Sequence, residues 1–145
     1  MKYTVHVEID QPIDRVMELF DNPDNLTKWM EGLQSFEHIS GTPGQPGSKS
    51  KLVFLIRKKE MEMIETVTER GPYEMAGYYE AKGFKNKIRA RFESIGSDKT
   101  RYYNDQEFEF EGFFMRIMAK LMPGTFKKQS LKYLKAFKEF AESQS

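Results

Sequence analysis

The last quarter of this chain sets the tightest limit on its fold. Residues 112–145 read as one long helical stretch, GFFMRIMAKLMPGTFKKQSLKYLKAFKEFAESQS. Pro123-Gly124 interrupts it, so the helix is expected to kink or restart there. Beyond the break Phe126, Ser130, Tyr133, Leu134, Phe137 and Phe140 share one face. Lys127, Lys128, Lys132, Lys135 and Lys138 occupy most of the rest. An apolar stripe of this kind must bury against a second layer. The segments before it supply one, because they alternate like strands.

Tyr3, Val5, Val7 and Ile9 alternate with polar residues, the period of a half-buried strand. Asp10-Gln11-Pro12 then reads as a helix start, with Asp10 as the acidic cap, and Ile13, Val16, Met17 and Phe20 fall on one helical face. Asn22-Pro23 breaks that helix, and residues 23–30 form a second short one with Leu26, Trp29 and Met30 inward. Further strands are expected at 33–40, 51–59, 61–70, 73–82, 85–95 and 100–111. The loop GTPGQPGS and the turns Gly71-Pro72 and Gly96-Ser97-Asp98 separate several of them. About seven strands on mostly short turns favour an antiparallel meander. No repeat or linker divides the chain, so residues 1–145 are read as a single domain.

Composition narrows the function. A chain of 145 residues suits one core, and 31% charged with 39% apolar residues is a globular balance. A net charge of +1 offers no field for nucleic acid. The absence of cysteine excludes disulfides, thiol catalysis and thiolate metal sites. No signal core or membrane-length apolar run occurs. A cytoplasmic protein without stable membrane insertion is expected, as monomer or homodimer. His6 and His38 are read as surface residues, and no metal or other cofactor is expected. No Ser/His/Asp set, phosphate loop or HExxH is visible.

Three segments carry a resemblance. QPIDRVMELFDNPDNLTKWM (residues 11–30), ETVTERGPY (65–73) and TRYYNDQEFEFEGFFMRIMAKLM (100–122) resemble, in that order, segments of the START-like polyketide cyclase/dehydrase (SRPBCC, birch-pollen-allergen-like) superfamily. The resemblance covers essentially the whole chain. It implies an α+β helix-grip fold, in which a curved seven-stranded antiparallel sheet wraps a long C-terminal helix and two short helices follow the first strand. It also implies an internal cavity. It does not imply one function, since members include lipid and sterol carriers, hormone receptors, aromatase/cyclases and co-chaperone homologues.

The residues themselves nominate a site. Glu65 shares the inward face of its strand with Met61, Met63 and Val67. A carboxyl facing an apolar interior is costly unless paired. It is therefore a polar anchor with a raised pKa, a partner in an ion pair with an arginine, or a side chain at the cavity mouth reaching water. Asn104 and Gln106 lie between Tyr102 and Phe108 on an inward face, placed to orient a ligand oxygen or to bond one another. Tyr79 adds a phenol. Met63, Phe92 and Phe108 are expected on the sheet wall. Trp29 is expected at one end of the core. Phe114, Ile117, Met118 and Leu121, with Tyr133, Leu134 and Phe137, are expected on the helical wall. The nine methionines suit an adaptable pocket. On the outer face Lys87, Arg89 and Arg91 are expected to pair with Asp105, Glu107 and Glu109 across strands.

The expected function is binding of a small hydrophobic or amphipathic molecule (a lipid, a polyketide-like aromatic or an isoprenoid) between sheet and helix. The alternatives are a cyclase/dehydratase that uses Glu65 or Tyr79 for proton transfer, and a protein-interaction module with a collapsed cavity.

Overall fold

A computed structural model describes residues 1–56, 58–121 and 123–144; for Phe114, Met118, Ala119 and Pro123 it describes the backbone alone. Strand β1 (Lys2–Ile9) leads into α1 (Ile13–Asp21), a 3-10 turn (Pro23–Asn25) and α2 (Leu26–Trp29). Strands β2 (Leu33–Ser40), β3 (Lys49–Ile56), β4 (Lys59–Gly71), β5 (Glu74–Ala81), β6 (Phe84–Gly96) and β7 (Lys99–Phe110) follow. Two helices close the chain, α3 (Phe113–Leu121) and α4 (Pro123–Ser143). The sheet runs β1-β7-β6-β5-β4-β3-β2, and every neighbouring pair is antiparallel. The expected strands are all present, with ends that differ by at most three residues. The C-terminal stretch is helical over Phe113–Leu121 and Pro123–Ser143, and the residue preceding the expected kink or restart at Pro123-Gly124 lies outside the described residues.

Asp10 does not cap α1. The N-cap position is Pro12, which makes no side-chain cap bond. The Asp10 backbone N–H instead donates to the Glu142 carboxylate at 2.8 Å. That bond belongs to a set that fixes α4 along β1. Lys138 Nζ donates to the Glu8 carbonyl at 2.6 Å, and Gln11 Nε2 to the Ala141 carbonyl at 2.9 Å. At the other end of β1 the Tyr3 hydroxyl bonds Ser130 at 2.6 Å and donates to the Phe126 carbonyl at 3.1 Å. The helix is thus tied to the same strand at both ends.

Between these ties lies the main core. Val5, Val7 and Ile9 of β1, Ala90 and Phe92 of β6 and Tyr102 of β7 meet Val16, Met17 and Leu19 of α1. Trp29, Leu134, Phe137 and Ala141 complete this cluster. Phe137, fully buried, meets Phe20, Trp29 and Tyr102 edge-on, with ring centroids 5.0–5.8 Å apart. Arg70 of β4 closes bidentately on Asp21 of α1, at 2.8 and 2.7 Å, and holds α1 to the sheet. A second, smaller apolar cluster, Leu33, Leu52 and Phe54, sits under β2 and β3.

The outer face is a charge ladder. Lys87 pairs with Glu109 at 3.1 Å and Arg91 with Asp105 at 2.9 Å, as the alternation predicts. Arg89 differs: it turns to Glu69 of β4 and Glu74 of β5. The sheet therefore satisfies its basic row internally.

These contacts separate two substitutions. Phe137→Ala is expected to cost about 3–5 kcal/mol, because it opens a void in a close-packed aromatic cluster. Leu121→Ala is expected to stay within about 0.5 kcal/mol, because Leu121 is 73% exposed. Urea unfolding of both variants checks the contrast, and equal losses would place Leu121 in the core.

Candidate functional site

The two apolar clusters meet only through half-buried Leu26 and Met30, which pack against both. Between them the inner face of the sheet carries a polar strip contributed by β4, β5, β6 and β7. Period-2 alternation puts its members on one face, and strand register brings them side by side. Glu65 stands opposite Tyr79, Tyr79 opposite Asn86, Asn86 opposite Phe108, and Ile88 opposite Gln106.

The strip is internally bonded. Asn86 Nδ2 donates to Gln106 Oε1 at 2.8 Å, Gln106 Nε2 to Asn104 Oδ1 at 2.5 Å, and Asn104 Nδ2 to the Tyr102 hydroxyl at 3.2 Å. This amide chain crosses two strands and ends on a phenol inside the main core. Burial pushes the Tyr102 hydroxyl up to about 12. On the other side of the strip the Tyr79 hydroxyl and the Glu65 carboxyl bond one another. Burial raises the Glu65 pKa, and the Tyr79 bond offsets only part of that. Burial, then the Glu65 charge, lifts the Tyr79 phenol well above its ordinary value. The phenols of Tyr102 and Tyr133 also act on Tyr79, so three tyrosines and one carboxyl share this part of the interior.

Glu65 and Tyr79 are strongly desolvated, yet neither side chain is fully sealed. Met63, Ile88, Gln106 and Phe108 are likewise half-buried, whereas Ala90, Phe92 and Tyr102 further along β6 and β7 are closed off. The inner face is thus packed solid at one end and only half-buried at the other. Gly77 adds to that contrast. It lies opposite Val67 and Ile88 and adds no side chain to the inner face. A Cβ there would come within 2.4 Å of the Thr66 carbonyl oxygen, so the close approach of β4 and β5 requires glycine.

The sequence-nominated residues divide accordingly. Glu65, Tyr79, Asn104, Gln106 and Met63 come together at the strip. Phe108 belongs to an aromatic group with Tyr3, Phe110 and Phe126 at its edge. Tyr133 is half-buried near Tyr79, and its hydroxyl reaches the Glu31 carbonyl at 3.4 Å. Trp29, Phe92, Leu134 and Phe137 are closed-core residues; Trp29 stacks on Phe20 and meets Phe137 edge-on. The Trp29 indole N–H is buried without an acceptor among the described residues.

Leu121 is a correction. Phe113, Ile117 and Leu121 recur at four-residue spacing and are all exposed, so they form the outward stripe of α3. Met115, half-buried and beside Gly83, lies on the side turned to the sheet. Met118 and Phe114 lie outside the described side chains. Asn86 is the polar residue that sequence reading missed. Its parity with Ile88, Ala90 and Phe92 was the available signal. Among the described residues Glu65 has no arginine partner; a phenol takes that place.

Two recesses of about 490 and 660 Å³ are open to solvent, and the lining of the second includes Gly77, Ile88 and Gln106. The first runs between α2 and α4 beside Trp29 and Phe140. The second faces the charge ladder, whose Lys2, Lys87 and Arg89 already have carboxylate partners. Neither gathers buried polar groups as the strip does. Among the described residues no cluster of acidic or histidine side chains forms a metal site, and no helix is long and apolar enough to cross a membrane.

Residues 1–138 match the family described as polyketide cyclase / dehydrase and lipid transport, and the chain belongs to it. Solved structures of the same fold cover nearly the whole chain. TTHA0849 from Thermus thermophilus is 17% identical with a TM-score of 0.82, over 100% of this chain and 99% of its own. The Zhui aromatase/cyclase from Streptomyces sp. R1128 is 12% identical with a TM-score of 0.83, over 98% and 93%. Ara h 8.0201 is 13% identical with a TM-score of 0.77, over 99% of each chain. The fold of this chain is therefore the helix-grip fold of that superfamily. No curated protein matches the sequence.

The raised Glu65 pKa gives a testable pH dependence. The folded protein holds that proton more tightly than the unfolded chain does. The stability it contributes is full below the unfolded value of 4.5 and is lost as pH rises through the folded value. Asp105 and Glu142, with lowered values, act in the opposite sense. The difference between wild type and Glu65→Gln isolates Glu65. The variant is expected to gain Tm relative to wild type between about pH 4 and about pH 8. A constant offset would show that Glu65 is not strained when ionised.

Proposed function

We propose that this protein binds one small apolar or amphipathic molecule in the chamber between the sheet and α3–α4, without chemical change. One observation carries the reading. Desolvated polar side chains, Glu65 and Tyr79 among them, converge on a half-buried stretch of the sheet's inner face. A closed core would have sealed that stretch and excluded Glu65. Apolar burial, at about 25 cal/mol per Å², drives binding, and ordering costs offset part of it. Glu65, Tyr79 and the Asn104–Gln106 amides set orientation. The family's description includes lipid transport, which supports the same class of ligand: a lipid, a polyketide-like aromatic or an isoprenoid. The absence of cysteine fits a reducing cytoplasm.

The Glu65–Tyr79 pair favours a second reading, cyclase/dehydratase chemistry. A carboxyl with a raised pKa beside a phenol is suited to proton transfer. In that case Glu65→Gln retains ligand and loses turnover.

Native mass spectrometry of protein purified from its own host tests the binding reading. The expected result is a reproducible adduct of a few hundred daltons that leaves on denaturation. Ile88→Trp, which fills the chamber from β6, is expected to lose the adduct and remain folded. An adduct that survives this substitution would move the site elsewhere.

A further inference from the structure

We propose that the chamber is specific for an apolar amine, whose ammonium group docks on the Glu65 carboxylate and whose hydrocarbon body lies between the two apolar clusters. This rests on the ligand-binding reading above.

The argument is an inventory of charge and hydrogen-bonding capacity. The amides of Asn86, Gln106 and Asn104 are linked to one another and to Tyr102. Glu65 is different. A carboxylate offers about four acceptor positions, and the single Tyr79 proton fills one. Ser50, directly across on β3, makes no hydrogen bond to it.

No cation among the described residues balances the carboxylate. Arg70, on the same strand, is taken by the two Asp21 oxygens. His38, in register with Ser50 on the next strand, is exposed and bonded to the Gly41 carbonyl. Arg89 and Arg91 belong to the outer ladder. Arg116, Lys120, Lys127 and Lys128 of the closing helices are exposed. The interior thus holds a carboxyl with unfilled acceptor positions and no countercharge among the described residues, on the half-buried part of the sheet's inner face.

A ligand ammonium supplies both the missing charge and the missing donors. A ligand carboxylate would set two anions against each other with no cation between them. The same geometry that admits an amine therefore rejects a fatty acid, although both have the same apolar body.

The test is calorimetric titration at neutral pH with four probes on one skeleton: 2-(aminomethyl)naphthalene, 2-ethylnaphthalene, 2-acetonaphthone and 2-naphthylacetate. The amine is expected to bind about tenfold or more tightly than the hydrocarbon, in line with a charge-assisted hydrogen bond. The acetate is expected to bind weakest. Glu65→Gln is expected to abolish the amine's advantage over the hydrocarbon. The ranking on wild type needs no variant and stands if Glu65→Gln fails to fold. Equal binding of amine and hydrocarbon overturns the amine proposal and leaves the chamber intact. Tightest binding by the ketone overturns it too, by making Glu65 a proton donor. Failure of all four probes overturns the ligand site itself.

Discussion

A sheet of seven strands is too wide for one helix to cover. Strands about 4.8 Å apart give a sheet roughly 29 Å across, while a helix with its side chains is about 10–12 Å thick. Here α4 is fixed along β1, one edge of the sheet, by Tyr3–Ser130 at one end and by Lys138 and Gln11 at the other. The inner face of β3, β4 and β5 therefore needs other cover. The short helices after β1 provide part of it, through Trp29 over the main core and through Leu26 and Met30 against Leu33 and Leu52. What they do not reach is the middle of β4 to β7, where Glu65, Tyr79 and the amide chain lie. The chamber follows from where one helix is tied.

Much of this was legible in the sequence because a strand has only two faces. Parity along β6 and β7 placed Phe92, Asn104, Gln106 and Phe108 inward and Lys87, Arg91 and Asp105 outward, and the structure agrees. Parity does not say which neighbour a side chain bonds. Arg89 could meet Asp105 across the β6–β7 ladder or Glu74 across β5, and register alone leaves both open. The same limit hid the partner of Glu65.

Helices gave a different error. The stretch 113–122 is apolar almost all round, so apolarity does not mark its buried side. Counting back from Phe137 by 3.6 residues reaches Tyr133, Ser130, Phe126, Ala119 and Met115, and Met115 is the residue found turned to the sheet. Leu121 and Ile117 fall off that track.

Glu65 is an expensive way to build an interior. A buried carboxyl bonded to one phenol is weak support for stability, and apolar replacements at such positions are often neutral or stabilising. The same holds, less strongly, for the amide chain, whose members must satisfy one another because little else around them does. Val or Leu at residue 65 would join Val67 and Met63 in a continuous apolar surface. The polar strip interrupts that surface. Its cost is set against the space it faces, and in a fold of this width that space is where a ligand's own polar group would be met.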